Sequence, residues 1–336
     1  MLNPKLKLNP KIFNVDVEQI PIRKGFGQGL LLAGEQDENV VALCADLTES
    51  TYMNLFADKF NDRFIEVGVA EQNLVTTASG MAAMGKIPFC SSYAIFSPGR
   101  NWEQIRTTIA FNDRKVVIVG SHAGISVGPD GGTHQALEDI ALMRVMPNMD
   151  VLSPCDAIEA EKATIALSKT KSPAYLRLAR EKTPIITTKE TPFEIGKGEI
   201  YWMPEVGLAQ VGIIVTGALI YQALVAAKEL EVEGIKTKVL NLSSIKPIDK
   251  EAILNLAKET KALVTVEEHQ IAGGAGSAIA EVVVKNYPVP IEFIGVQDKF
   301  GQSGTAKELI KHYGMDEDSI KEAVKKVLSR KNLRQT

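Results

Sequence analysis

From residue 40 onward, nearly continuous apolar runs alternate with stretches whose apolar positions recur at helical spacing. VVALCADL (40 to 47), FIEVG (64 to 68), IPFCSSY (87 to 93), KVVIVGSH (115 to 122), MDVLSPC (149 to 155) and AYLRLAR (174 to 180) read as strands. Helices are predicted between them, from about Ala70 and from Trp102 to Phe111. Strands that are apolar throughout, separated by helices, predict a parallel sheet covered on both faces. Residues 181 to 210, including KTPIITTKETPFEIGKG, hold no sustained period and read as a linker with an edge hairpin. The strand and helix alternation then resumes with GIIVTGA, KTKVLNLS, KALVTVEE and IEFIGV, and closes on a helix around SIKEAVKKVLSR. The pattern predicts an α/β fold of two doubly wound domains with mainly parallel sheets. The boundaries fall at 1–20 for an N-terminal arm, 21–185 for the first domain, 186–210 for the linker and edge hairpin, and 211–336 for the second domain.

A chain of 336 residues exceeds what one ordinary core supports, which agrees with two domains. Hydrophobic residues make up 45% and charged ones 24%, so a large core can form, while no apolar run approaches the length of a membrane span. The net charge of −3 comes from interspersed acids and bases and leaves no electrostatic footprint for nucleic acid. Cys44, Cys90 and Cys155 each lie in an apolar, strand-like segment without metal-ligand spacing, which favours buried, reduced thiols and a cytoplasmic setting. The basic start, MLNPKLKLNPK, lacks the apolar core of a secretory signal.

In parallel sheets, ligands bind beyond the carboxyl ends of the strands, and Asp46, Glu71, Tyr93, His122 and Arg180 all end or follow strand-like runs. Glu71 heads a helix rich in small residues, with Ala78, Ser79, Gly80, Ala82 and Ala83 behind it. An unpaired carboxylate in such a closely packed place is costly, so it has either a partner or a chemical task. One reading makes it a helix N-terminal glutamate held by the macrodipole and nearby amides. The other makes it the group that shares a proton with a ring nitrogen, as the aminopyrimidine of thiamine diphosphate requires. The loop HAGISVGPDGGTHQ brings His122, Asp130 and His134 together, with Gly128, Gly131 and Gly132 permitting tight turns. Imidazoles beside a carboxylate suit a polyhydroxylated substrate, although turn residues of a surface loop would look similar.

Six segments together resemble the C-terminal half of transketolase, its pyrimidine-binding domain followed by its C-terminal domain. They are CADLTES (44 to 50), GVAEQN (68 to 73), SSYAIFSPGRNWEQIR (91 to 106), GSHAGISVGPDGGTHQALED (120 to 139), YLRLAR (175 to 180) and VEEHQIAGGAGSAIAE (266 to 281). The resemblance implies that Glu71 activates the cofactor's aminopyrimidine, that Phe96, with Tyr93 nearby, forms its aromatic wall, and that Asp46 lies toward its thiazolium side. As ordinary local structure, the two aromatics would be core residues and Asp46 a turn cap. The resemblance further implies that Asp130 and His134 bind sugar hydroxyls, with His134 close to the chemistry, and that His122 lies toward the phosphate end. Arg23, Ser50 and Arg180 match its phosphate-binding positions, where a guanidinium fork suits a phosphate. Family members often carry a further aromatic where this sequence has SPGR.

Thiamine enzymes hold the diphosphate through a divalent metal bound by a GDG motif, and no GDG occurs in this sequence. Magnesium needs several oxygen ligands in octahedral array, so the resemblance implies a partner chain, an N-terminal transketolase subunit that carries the Mg2+ and the diphosphate. A split transketolase arranged as α2β2 and moving a two-carbon ketol unit between sugar phosphates follows as the leading expectation, in pentose phosphate metabolism or a specialised route. A 2-oxoacid dehydrogenase beta subunit would share the architecture but has no need of Asp130, His134 and Arg180. A 1-deoxyxylulose 5-phosphate synthase would share the THQ pattern but is normally one chain with its own GDG. A non-catalytic scaffold subunit would have no need to keep Glu71, His122, Asp130 and His134.

Overall fold

The computed structural model describes residues 1–332. The first half runs β1 (Gln19–Pro21), α1 (Ile22–Gln36), β2 (Val40–Cys44), α2 (Asn54–Ala57), β3 (Phe64–Glu66), α3 (Glu71–Ala83) and β4 (Ile87–Tyr93). It continues through α4 (Trp102–Gln104), β5 (Val117–Ser121), α5 (Asp139–Arg144), β6 (Asp150–Leu152), α6 (Ala157–Lys169) and β7 (Ala174–Arg177). The second half holds β8 (Lys182–Pro184), β9 (Glu199–Trp202), β10 (Val211–Val215), α7 (Ile220–Val232), β11 (Thr237–Asn241) and β12 (Ser244–Lys246). It ends with α8 (Lys250–Thr260), β13 (Leu263–Gln270), α9 (Ala275–Asn286), β14 (Ile291–Val296), α10 (Ala306–His312) and α11 (Glu317–Asn332).

Seven strands form the first sheet in the order β12-β6-β7-β5-β4-β2-β3. All neighbours are parallel except β12, which runs antiparallel to β6. Every residue of β2 and β5 is buried, because helices cover both faces of the sheet. Phe26, Phe56, Phe89 and Leu176 fill one face, and Leu74, Ile105, Ile118 and Tyr175 fill the other. Helices α1 and α6 approach so closely that a Cβ on Gly25 would sit 1.8 Å from the Ala157 carbonyl oxygen. Only glycine permits that seam. The helix predicted from Trp102 to Phe111 is α-helical only at α4 and widens into a π-helical turn over Ile105–Ala110.

The second sheet has the order β14-β13-β10-β11-β9, parallel apart from its edge strand β9. Strand β8 pairs instead with β1 in a separate two-stranded ribbon. Leu6, Leu8 and Ile12 of the N-terminal stretch are buried in the second core with Trp202 and Leu224, so that segment lies against the distant half of the chain. Glu159 of α6 links the two domains, accepting hydrogen bonds from Cys155 N at 2.6 Å and from Asn241 Nδ2 of β11 at 2.8 Å. Burial pushes its carboxyl up to about 7. No helix among the described residues is long and apolar enough to cross a membrane.

Candidate active site

Glu71 is the first residue of α3 and is only 2% exposed. Its carboxylate Oε2 accepts from Arg100 Nη1 at 2.8 Å, while Asn101 Nδ2 donates to its carbonyl oxygen at 2.8 Å. Arg100 is half exposed, and its Cζ lies 4.8 Å from the centroid of the Phe96 ring. Glu71 therefore stands at a helix N-terminus, and the cation that its burial calls for is Arg100.

Aromatic and imidazole rings line up beside this pair. His122 stacks on Tyr93 with centroids 3.8 Å apart, Tyr93 and Phe96 lie 6.3 Å apart at 15°, and His134 meets Phe96 edge-on at 5.5 Å. These residues come from the carboxyl ends of β4 and β5, which are adjacent and in register from Phe89↔Val117 to Tyr93↔Ser121. His122 has a left-handed backbone (φ 55), and its Nδ1 lies 2.9 Å from Ser121 Oγ. Burial, then the charges of Arg23 and Arg180 and the neighbouring His134, push its imidazole down to about 3. The ring is neutral at physiological pH and can exchange hydrogen bonds in either direction.

A second group of side chains converges from α1, the turn before α2 and the end of β7. Arg23 Nε donates to the Arg180 carbonyl at 3.1 Å, and Arg23 Nη1 donates to the Ser50 carbonyl. Arg180 Nη1 donates to the Val127 carbonyl at 2.5 Å and reaches Asp130 Oδ1 at 3.4 Å. Arg23 is shifted below the usual guanidinium range, chiefly by burial. Two guanidiniums, a serine and the His122–His134 loop are thus neighbours, which is a geometry suited to an anionic, hydroxylated ligand. Asp46 has a left-handed backbone (φ 58), and its N–H donates to Glu66 Oε1 at 2.7 Å. The same oxygen accepts from Gly68 N at 2.8 Å, so Glu66 couples the Asp46 loop to the turn that leads into Glu71. Among the described residues, no hydrogen bond joins the Asp46 side chain to the other candidates.

Arg100, Asn101 and Glu66 did not stand out in the sequence. A buried carboxylate demands a cation, but the SPGR segment alone does not tell whether Arg100 faces that carboxylate or water. The Arg100 guanidinium lies over Phe96 and pairs with Glu71, and an aminopyrimidine, though neutral, is likewise flat and nitrogen-bearing. The residues present fit that part of thiamine diphosphate. Among the described residues, no group of three or more His, Cys, Asp or Glu is placed to hold a metal ion.

Comparison with known proteins agrees with this architecture. The transketolase pyrimidine binding domain matches residues 18–185, and the transketolase C-terminal domain matches residues 203–320. A transketolase C-terminal section from Methanocaldococcus jannaschii is 44% identical over 302 residues, covering 89% of this chain and 93% of that protein. A 6-deoxy-6-sulfo-D-fructose transketolase subunit from a Clostridium species is 38% identical over 96% of this chain and 99% of its own length. Human transketolase is 35% identical over 93% of this chain, which spans 50% of that longer protein. A solved structure described as a split gene transketolase, inactive beta4 tetramer, superposes with a TM-score of 0.85 at 40% identity, covering 92% of this chain and 99% of that one. The chain belongs to the transketolase family, as its pyrimidine-binding and C-terminal half.

Proposed function

We propose that the chain is one subunit of a two-subunit transketolase, moving a two-carbon ketol unit from a ketose phosphate to an aldose phosphate. The observation that carries this reading is the convergence of Glu71 and Phe96 with the His122 to His134 loop and the Arg23 and Arg180 pair. In this reading Glu71 holds a proton against the aminopyrimidine, Phe96 and Tyr93 wall the ring, and Asp46 faces the thiazolium side. Thiamine diphosphate, held by these residues, would supply the nucleophilic carbon for the transfer. Asp130 and His134 orient sugar hydroxyls, with His134 placed to exchange a proton near the reacting carbons. His122 serves the same substrate as a neutral hydrogen-bonding ring, while Arg180, Arg23 and Ser50 clamp its phosphate.

The Mg2+ and diphosphate belong to an N-terminal subunit with a GDG motif, in an α2β2 cytoplasmic assembly. The domain limits of 21–185 and 211–336 follow from the same reading. The names of two relatives, a 6-deoxy-6-sulfo-D-fructose transketolase subunit and an apulose-4-phosphate transketolase subunit, support a ketose with an anionic group as the donor. Mixing the chain with its GDG-bearing partner, thiamine diphosphate and Mg2+ should give ketol transfer from xylulose 5-phosphate to ribose 5-phosphate or to another phosphorylated aldose. Glu71→Ala should abolish it. Turnover of pyruvate in place of sugar would assign the pair to the 2-oxoacid dehydrogenases, and unchanged turnover in Glu71→Ala would remove the catalytic assignment.

A further inference from the structure

The loop that carries His122, Asp130 and His134 leaves the first sheet, where Arg180 holds its middle, and is fastened at both ends by the other domain. At its start, Ser126 N donates to Glu268 Oε1 at 2.5 Å, with both residues buried. Gly124 makes room for this contact. It has φ 90, and a Cβ there would fall 2.4 Å from the same carboxylate oxygen. At the loop's end, Gln135 Nε2 donates to the Ile125 carbonyl and to the Gln302 carbonyl, each at 3.0 Å. Gln135 therefore ties the end of the loop to its own beginning and to the segment between β14 and α10.

Arg177 secures the anchor strand. Its Nη2 donates to the Glu268 carbonyl at 2.8 Å and to the Ala136 carbonyl at 3.3 Å, and its Nε donates to Asp139 Oδ2 at 2.7 Å. Tyr175 adds a fourth link by donating its hydroxyl to Asp139 Oδ2 at 2.7 Å. Glu268 and Gln302 thus brace opposite ends of one loop from the second sheet and its following segment. A domain that contributes neither Glu71 nor the aromatic wall nevertheless fixes the residues that face the substrate.

We propose that Glu268 and Gln135 are positioning residues, through which the C-terminal domain sets the geometry of the loop bearing Asp130 and His134 and so governs capture of the hydroxylated donor. The inference rests on the reading of that loop as a sugar-binding element. Neither residue touches the pyrimidine wall, so cofactor binding and donor binding should respond differently to their loss. Losing a buried hydrogen bond of this kind is enough to shift a binding constant by about one to two orders of magnitude.

The test uses the reconstituted two-subunit enzyme with a ketose phosphate donor. Glu268→Ala should raise the donor KM roughly ten- to a hundred-fold, while the dissociation constant for thiamine diphosphate, measured by calorimetry, stays within about two-fold of wild type. Glu268→Gln keeps a carbonyl oxygen for the Ser126 N–H and should recover most of the loss. Gln135→Met, similar in length but without a donor, should raise the same KM from the opposite end of the loop, and it serves if Glu268→Ala does not fold. A wild-type donor KM in folded Glu268→Ala or Gln135→Met overturns the inference, as does an equal loss of cofactor and donor binding that Glu268→Gln fails to rescue. His134→Ala separates the two levels. An unchanged donor KM there removes the sugar-loop reading along with this inference, whereas a raised KM in His134→Ala beside a normal one in Glu268→Ala removes this inference alone.

Discussion

Arg100 reaches from the loop after β4 to a carboxylate that water scarcely touches, and the pair illustrates what one buried charge requires of its surroundings. Removing Arg100 strands the Glu71 charge, but the guanidinium itself is half exposed, so solvent screens part of the loss. Arg100→Met should lower unfolding stability by about 1–2 kcal/mol, and Glu71→Gln in the same background should return part of it. A double-mutant cycle by urea denaturation checks this, and additive effects would show that the pair is not coupled. His122 makes a second claim at this scale. Its folded-state value near 3 lies below the ordinary 6.5, so the unfolded chain binds the extra proton as pH falls through that window. Stability should therefore decline from about pH 6.5 toward pH 3 by up to about 1.4 kcal/mol per pH unit from this group, and His122→Asn should flatten that part of the curve. Denaturation midpoints measured across the window give the slope directly. Glu71, Phe96 and the His122 to His134 loop were legible in the sequence because each follows an apolar strand. Arg100 was not, because an arginine in a Pro-Gly turn looks the same whether it faces water or a carboxylate.

Helices and strands explain why the candidate side chains meet. Parallel strands β2, β3, β4, β5 and β7 place their carboxyl ends along one edge, and every candidate except Arg23 departs from that edge. Arg23 arrives on the first turn of α1, whose position is set by its seam with α6. Gly25→Val would drive a side chain into the Ala157 backbone, where nothing can yield without moving a helix. It should cost about 3 kcal/mol or more, visible as a fall in Tm. Donor binding should weaken with it, because Arg23 shifts with the helix. A Tm within error of wild type would show that the seam can open. The strand pattern was legible because parallel strands buried on both faces leave unbroken apolar runs such as VVALC and VIVG. Strand β12 was not, since its three residues SIK carry neither length nor alternation, and only its partner β6 makes it a strand. The widening of the helix after Trp102 was equally invisible, because a π-helical turn leaves no distinct mark on the spacing of the apolar residues in IRTTIA.

For the whole molecule, the two domains are bound to each other by more than the linker between them. The N-terminal stretch reads as an arm because MLNPKLKLNPK is basic and lacks the apolar core of a secretory signal, yet the burial of Leu6, Leu8 and Ile12 depends on partners some 200 residues away that no local pattern discloses. Deleting residues 1–13 should destabilise the protein by several kcal/mol, at about 1.5–3 kcal/mol for each of those three side chains before relaxation, and should expose Trp202 to solvent. Unfolding midpoints and a red-shifted tryptophan emission check both effects. Strand β12 has a longer reach. It belongs by sequence to the second domain but forms the outer edge of the first sheet, pairing Ser244 with Leu152. A peptide bond cut near residue 206, between β9 and β10, would therefore yield two fragments that each lack a piece of their own architecture. Neither fragment should be as stable apart as in the intact chain, so the two halves fold as one unit even though their outline suggests two separable modules.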